Sequence, residues 1–251
     1  RFGYEVFHRS KLLPADMAGQ VRAIIDRYQV DCVLDVGANA GQFGYFLRNL
    51  VGYLGLLVSF EPSAETFEEL SRKAAPDSHW MAFNCALGKD NAEQQFNIMK
   101  SSELNSFLEP DRSETRLFDS YNVVIRRETV RMRTLDAVIP EIRRTHSFRN
   151  MYLKIDTQGY DMQVIEGAGG ILPDVVAIQT EAAFQRLYAG MPGYLETLSE
   201  LDQRGWDLSA VFPISADSSA RLIEADCIFV NRGKAREQEA RLLQVPGLTH
   251  V

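Results

Sequence analysis

A glycine turn and a glutamate farther along the chain are the residues best placed to bind a ligand. Asp35 ends an apolar, strand-like segment, and Gly37, Asn39 and Gly41 follow it before a predicted helix. Glu61 ends the next apolar segment. A glycine turn lets a ligand approach the backbone closely, and the helix after it presents free N–H groups. An acid at the second strand tip binds ribose hydroxyls in nucleotide-binding α/β folds, so the two features predict a site for an adenosyl ligand.

The glycine turn differs from the dinucleotide-binding fingerprint Gly-x-Gly-x-x-Gly, because Asn39 stands in place of the second glycine. Asparagine adopts the left-handed conformation more readily than most residues, so the turn can still form. A pyrophosphate would fit poorly against the Asn39 side chain. The turn therefore favours a ligand without a phosphate, such as S-adenosylmethionine, over NAD(P).

Two more carboxylates end predicted strands in the second half of the chain. Asp156 follows the segment Tyr152–Ile155, and Glu181 follows Val175–Gln179. On neighbouring strands the two could form an acid–base pair or a weak metal site, and Asp156 could accept a proton from an attacking hydroxyl. We expect no metal, since these four oxygens would need help from water or substrate. Lys154, inside the strand, is expected to pair with an acid or to extend towards solvent.

Predicted strands and helices alternate along most of the chain, which indicates a mostly parallel sheet with helices on both faces. The last two predicted strands are separated only by a short polar gap, which favours an antiparallel pair. The predicted strands are Cys32–Val36, Leu56–Phe60, Trp80–Cys85, Tyr152–Ile155, Val175–Gln179, Leu208–Phe212 and Cys227–Val230. The predicted helices are Ala15–Tyr28, Gln42–Asn49, Ala64–Ala75, Tyr160–Gly167, Tyr194–Arg204 and Ala235–Leu243.

The length of 251 residues predicts one main domain with terminal additions. We expect a helical segment at 1–30 that packs on the core, the main domain at 31–232, and a helix and tail at 233–251. A polar stretch at about 100–134 interrupts the alternation. It is expected to be a lid or an acceptor-binding insertion, with a solvated excursion and a short strand at Thr129–Arg133 as the alternative.

Composition and charge narrow the class of protein. A net charge of −7 argues against a general nucleic-acid binder, and no apolar run is long enough for a transmembrane helix. Cys32, Cys85 and Cys227 lie far apart without metal-ligand spacing, which predicts free, buried thiols and a cytoplasmic location. The sequence leaves the oligomeric state open.

In order and spacing, these motifs resemble the FkbM family of S-adenosylmethionine-dependent methyltransferases. The similarity runs from about residue 31 to 230, through Val33–Gly41, Ser59–Pro62, Ala86–Gly88, Ser106–Leu108, Thr134–Asp136, Leu153–Gly159, Val164–Gly167 and Gln179–Glu181. The resemblance implies a Rossmann-like class I methyltransferase fold, an α/β fold with a seven-stranded, mostly parallel sheet and an antiparallel closing strand. It also implies methyl transfer to a hydroxyl of a sugar, in a glycolipid or polysaccharide, or of a secondary metabolite.

The resemblance further implies roles for single residues, with S-adenosyl-L-methionine as cofactor. The cofactor-binding residues are then Asp35, Gly37, Ala38, Asn39, Gly41, Glu61, Pro62, Cys85, Ala86, Ser106 and Asp156. Among them, Glu61 is expected to hold the ribose, and Ser106 and Asp156 to lie near the donor methyl. Asp156 and Glu181 are the catalytic candidates. Many members of the family have Glu in place of Gln158, which as an amide is excluded as a general base.

Two other functions compete with this interpretation. An NAD(P)-dependent oxidoreductase is disfavoured by Asn39 and by the lack of a Tyr-x-x-x-Lys dyad. A non-catalytic, methyltransferase-like interaction module is disfavoured by the intact glycine turn, Glu61 and Asp156. The acceptor stays open. The arginines at 126, 127, 131 and 133 could bind an acidic acceptor or form a solvent face, and the aromatic rings at 184, 188 and 194 could stack on a sugar or belong to the core.

Overall fold

The computed structural model describes residues 12–243, without the side chains of residues 12–15 and 242; the predicted terminal segments 1–11 and 244–251 lie outside the described residues. The helices are α1 Leu12–Tyr28, α2 Gln42–Phe46 with a π-helical continuation Leu47–Val51, α3 Ala64–Ala74, α4 Leu135–Ile142, α5 Asp161–Glu166, α6 Tyr194–Gln203 and α7 Arg232–Leu243. The strands are β1 Cys32–Val36, β2 Leu56–Phe60, β3 Trp80–Phe83, β4 Ala86–Leu87, β5 Ala92–Met99, β6 Val124–Arg133, β7 Met151–Ile155, β8 Val175–Ala183, β9 Trp206–Ala216 and β10 Leu222–Asn231. In this part of the chain, no helix is both long and apolar enough to cross a membrane.

A seven-stranded sheet forms the centre of the fold, in the order β3–β2–β1–β7–β8–β10–β9. The first five strands are parallel, and β10 runs antiparallel to both β8 and β9. The predicted α/β architecture, with a mostly parallel sheet and an antiparallel closing pair, is confirmed. Because β1, β2, β7 and β8 are parallel, the loops that follow them meet at one edge of the sheet.

Helices cover both faces of the sheet, which is why its central strands are continuous apolar runs. Every residue of β1, β2 and β7 is buried. Successive residues of a strand point to opposite faces. Leu34 of β1 accordingly belongs to one core cluster with Ile139 of α4 and Val164 of α5, whereas Val33 belongs to another with Val21 of α1. The three cysteines are free and buried, as predicted.

A second, three-stranded sheet in the order β4–β6–β5 was not predicted. The first half of β5 is polar and exposed, so it lacks the apolar pattern of a covered strand. Strand β6 begins at Val124, well before the expected Thr129. Helix α4 was missed because it contains Pro140, although Thr134 caps it by accepting a hydrogen bond from Ala137 N.

The segment between β5 and β6, residues 100–123, packs against the main sheet through specific contacts. Asn97 and Ser106 exchange backbone hydrogen bonds, and Ser106 Oγ donates to Gln158 O at 2.8 Å. The Asn122 side chain donates to Leu187 O at 3.2 Å. These contacts hold the segment beside the loops that follow β7 and β8.

The loop after β1 approaches the loop after β7 so closely that Gly37 has no room for a side chain. Gly37 adopts φ 72°, and a Cβ built on it would clash with the carbonyl oxygen of Asp156. Gly19 of α1 offers a matched contrast, since a Cβ there would meet nothing within 4 Å. Alanine substitutions at these two glycines therefore distinguish a steric clash from the general effect of alanine on the backbone.

We expect Gly37→Ala to lower the free energy of unfolding by about 2 kcal/mol or more, through the left-handed backbone and the clash. Gly19→Ala should raise it by about 0.5–1 kcal/mol, since glycine disfavours a helix. Denaturant unfolding of both variants measures the difference. A Gly37→Ala protein as stable as wild type would contradict this close packing of the two loops.

Candidate active site

A cavity of about 520 Å³ opens at the edge of the sheet where the parallel strands end. Most of the site residues predicted from the sequence line it: Gly37, Ala38, Asn39, Glu61, Pro62, Cys85, Ala86, Asp156 and Glu181. Asp35, Gly41 and Ser106 are not part of the lining. The cavity thus extends from the tips of β1 and β2, across β7 and β8, to the antiparallel strands β9 and β10.

Glu61 connects the end of β2 to the loop after β1. Its side chain is buried, with Oε2 accepting a hydrogen bond from Asn39 N at 3.0 Å and Oε1 from Ser63 N at 2.9 Å. Burial raises the pKa of Glu61 to about 7, although these two hydrogen bonds oppose the increase. A carboxylate offers about four acceptor positions, so Glu61 can still accept hydrogen bonds from ligand hydroxyls.

The sequence predicted free N–H groups at the start of the helix after the glycine turn, and the amides of the turn itself, from Gly37 to Gly41, are all paired. All five amides of this loop donate within the protein: the first two to Phe60 O, the third to Glu61, and the last two to Asn39 Oδ1 and Ala38 O. Asn39 itself adopts the predicted left-handed conformation, with φ 46°. A phosphate would therefore find no unpaired amide in this loop. This agrees with the preference for a ligand without a phosphate that was inferred from Asn39.

Asp35 is not part of the cavity lining, but it contacts Lys154, which is. Asp35 is fully buried, accepts a hydrogen bond from Ser59 Oγ at 3.0 Å, and has Oδ1 3.5 Å from Lys154 Nζ. Lys154 Nζ also lies 3.1 Å from Asp156 Oδ2. Burial lowers the pKa of Lys154, but the carboxylates of Asp156 and Asp35 outweigh it and keep the pKa above its ordinary value. Lys154 is therefore a paired, charged lysine, one of the two outcomes expected.

Asp156 and Glu181 come together at the tips of β7 and β8, bridged by Gln158. Gln158 Nε2 donates to Asp156 Oδ1 at 3.1 Å and to Glu181 Oε2 at 3.0 Å. Burial and the nearby charge of Asp156 raise the pKa of Glu181 well above its ordinary value. The pair thus combines a carboxylate held by a lysine with a second carboxyl group that favours its protonated form. Within residues 12–243, no three acidic, His or Cys side chains are grouped to hold a metal ion.

The structure adds acidic residues to this end of the cavity that sequence reasoning missed. Glu224 and Asp226 of β10 line the cavity beside Glu181. Burial raises the pKa of Asp226 to about 6. Because β10 is antiparallel, its first residues reach the edge where the parallel strands end. An acidic start of a predicted antiparallel strand was the signal that could have found them.

Ser106 and the side chains predicted as candidates for acceptor binding lie outside the cavity lining. Ser106 Oγ donates to Gln158 O and accepts from Leu108 N, while its neighbours Asn105 and Phe107 line the cavity. None of the four arginines of β6 lines the cavity, and three of them pair with glutamates. Phe184 and Tyr194 stack on each other, with ring centroids 4.3 Å apart, and neither lines the cavity.

Comparison with known proteins settles the family. The family model described as the methyltransferase FkbM domain matches residues 35–208, which is most of the chain. The chain belongs to the FkbM methyltransferase family. The family identification made from the sequence is therefore confirmed. No curated protein matches this chain.

This FkbM family member is also similar to solved structures. A methyltransferase FkbM from Methylobacillus flagellatus KT is similar, with a TM-score of 0.50 and 12% identity over 80% of this chain and 43% of that chain. Magnesium protoporphyrin IX methyltransferase from Synechocystis PCC 6803, solved with bound SAM, has a TM-score of 0.47 and 8% identity over 92% and 87% of the two chains. The first similarity, together with the strand order, confirms the class I methyltransferase fold. This chain spans less than half of the Methylobacillus protein's length.

The raised pKa of Glu61 predicts a specific dependence of stability on pH. Between its ordinary pKa of 4.5 and about 7, folded Glu61 holds a proton that the unfolded chain has released. Wild type should therefore lose stability relative to Glu61→Gln as the pH rises through this range. Denaturant unfolding of both proteins at pH 4.5, 6 and 7.5 measures the difference. A difference that stays constant across the three values would contradict the burial of this carboxyl group.

Proposed function

We propose that this protein binds S-adenosyl-L-methionine in the cavity and transfers its methyl group to a hydroxyl of a sugar or of a secondary metabolite. The sugar would belong to a glycolipid or a polysaccharide. The observation that carries the proposal is the buried Glu61 carboxylate, which lines the cavity beside a loop whose amides are all paired. Such a site suits a nucleoside with free ribose hydroxyls and no phosphate.

The residues at the β1–β2 end fit the parts of this cofactor. Glu61 would accept hydrogen bonds from the ribose hydroxyls, and Cys85 and Ala86, at the entry to β4, would border the adenine. Gly37 brings the backbone of the β1 loop beside Asp156, where both can contact the methionine part. The oxygen atoms of this region suit the positive charges of the ammonium and sulfonium groups.

When bound, the cofactor supplies an electrophilic methyl group. The chain's own task is to hold the acceptor hydroxyl in line and to take its proton. Asp156 is assigned as the proton acceptor, since Lys154 and Gln158 both donate to its carboxylate. Glu181, whose pKa is raised, is assigned to orient the acceptor oxygen as a hydrogen-bond donor.

The acceptor would enter beside the segment between β5 and β6. Ser102, Leu104, Phe107 and Phe118 of this segment line the cavity opposite the strand tips, which supports the acceptor-binding insertion expected at about 100–134. We also propose a cytoplasmic location, which the free, buried thiols support.

The two rival functions have less support. A dinucleotide would place its pyrophosphate at the β1 loop, where residues 37–41 have no unpaired amide. A module kept only for protein interaction would not need a buried lysine and glutamine that organise two carboxyl groups at the cavity. No observation in the described residues favours either rival function.

Isothermal titration at pH 7 with S-adenosylhomocysteine tests the cofactor site. We expect wild type to bind this product and Glu61→Gln to bind it about 10–100-fold more weakly, because hydrogen bonds to a carboxylate are lost. Glu65→Gln is the matched control, since Glu65 is exposed on α3 and outside the cavity lining. Binding of NAD(P) in preference to S-adenosylhomocysteine would reject the proposal in favour of the oxidoreductase.

Asp156→Asn tests the proton acceptor. We expect the variant to fold and to lose about 10²–10⁴-fold in methyl transfer, since the amide cannot accept the hydroxyl proton. Mass spectrometry of lipids and glycans from a deletion strain identifies the missing methyl group, and complementation measures each variant. Wild type and the control Asp174→Asn, at a half-buried ion pair with Arg143 outside the cavity lining, should restore the methyl group. Restoration by Asp156→Asn at the wild-type level would remove Asp156 from this role.

A further inference from the structure

Gln158 connects the two carboxyl groups at the centre of the cavity. Its side chain is buried, and its Nε2 donates to Asp156 Oδ1 at 3.1 Å and to Glu181 Oε2 at 3.0 Å. Lys154 Nζ donates to Asp156 Oδ2 at 3.1 Å. Three of the four carboxyl oxygens therefore have a hydrogen-bond donor. The fourth, Glu181 Oε1, has none among residues 12–243.

The neighbours of Gln158 also determine which way its amide points. In the opposite orientation its oxygen would face two carboxyl groups, which would be repulsive. At the other end, the Tyr188 hydroxyl lies 3.0 Å from Gln158 Oε1 and 2.8 Å from Leu104 O. Burial raises the pKa of Tyr188 above its ordinary value, so this hydroxyl keeps its proton and remains a donor. Since this hydroxyl has a single proton and Leu104 O is the nearer acceptor, the two carboxyl groups decide the orientation with Nε2 between them.

We propose that Gln158 is a positioning residue that, together with Lys154, confines the proton of this carboxyl pair to Glu181 Oε1 and leaves Asp156 as the carboxylate. This inference rests on the proposed function, in which Asp156 accepts the hydroxyl proton. A proton on Asp156 Oδ1 or Glu181 Oε2 would weaken the charge-assisted hydrogen bond from Gln158, and one on Asp156 Oδ2 would weaken that from Lys154. Only Glu181 Oε1 takes a proton without such a loss.

The charges around Glu181 favour the same arrangement. Burial raises its pKa, and the carboxylates nearby raise it further, with Asp156 the strongest of them. The one lysine in the cavity lining is already shared by two other acids. The charged groups around the pair are Asp35, Lys154, Asp161, Glu224 and Asp226. The protonated carboxyl group would then present its O–H to the acceptor oxygen while Asp156 takes the acceptor's proton.

Carbon-13 NMR of the protein labelled at the Asp and Glu carboxyl carbons tests this inference. Asp156→Asn and Glu181→Gln assign the two signals, and wild type should show Glu181 protonated and Asp156 ionised at pH 7. In Gln158→Met, which keeps the size but removes both donors, Asp156 should share the proton with Glu181 at pH 7, because Asp156 Oδ1 has lost its donor. In Gln158→Glu, the added carboxyl group should make the cluster hold one more proton at pH 7.

Gln185→Met is the matched control, because Gln185 is also buried but donates to Leu222 O outside the cavity lining. It should leave the Asp156 and Glu181 signals unchanged. An Asp156 signal that stays fully ionised in Gln158→Met, or a proton on Asp156 in wild type, would overturn the inference. If Gln158→Met does not fold, Gln158→Glu decides, and the absence of an additional proton has the same consequence.

The same samples separate this inference from the proposed function. Calorimetry of wild type with S-adenosylhomocysteine reports on the cofactor site without involving Gln158 directly. Normal binding together with an unchanged Asp156 signal in Gln158→Met would reject only the positioning role. Absent binding together with the expected NMR shifts would reject only the proposed function.

Discussion

The shape of this cavity depends on the hydrogen bonds that the buried Glu61 carboxylate accepts. Glu61 lies at the end of β2 but accepts a hydrogen bond from Asn39 N in the loop after β1, and another from Ser63 N at the start of α3. Burying a charged group without partners is costly, so these two donors are what makes the position tolerable. The same carboxylate thereby fixes the loop shape and retains acceptor capacity towards the cavity.

The topology of the sheet gives the cavity two chemically different ends. At the tips of β1 and β2, a compact loop with paired amides lies against Glu61. At the tips of β7 and β8, Asp156 and Glu181 share Gln158, and β10 adds further acids because its antiparallel direction brings its first residues to the same edge. A nucleoside and a methyl acceptor would thus occupy neighbouring parts of one continuous space.

Those parts of the fold and of the site whose physical signal is local could be predicted from the sequence. The strands β1, β2 and β7 are apolar runs because both of their faces are covered, and Glu61, Asp156 and Glu181 follow strands directly. Features that depend on distant partners were missed. Strand β5 is half exposed and polar, so it lacks the pattern of a covered strand. Pro140 lies inside α4, where a proline argues against a helix. The paired state of the loop amides depends on Phe60 O in a neighbouring strand, which no local pattern reveals.

A crystal structure of the complex with S-adenosylhomocysteine would test the central claim most directly. We predict that the two ribose hydroxyls lie about 3 Å from the carboxylate oxygens of Glu61. The adenine should lie beside Cys85 and Ala86, and the sulfur should point towards Asp156. A nucleoside bound outside this cavity, or one whose ribose makes no contact with Glu61, would contradict the account.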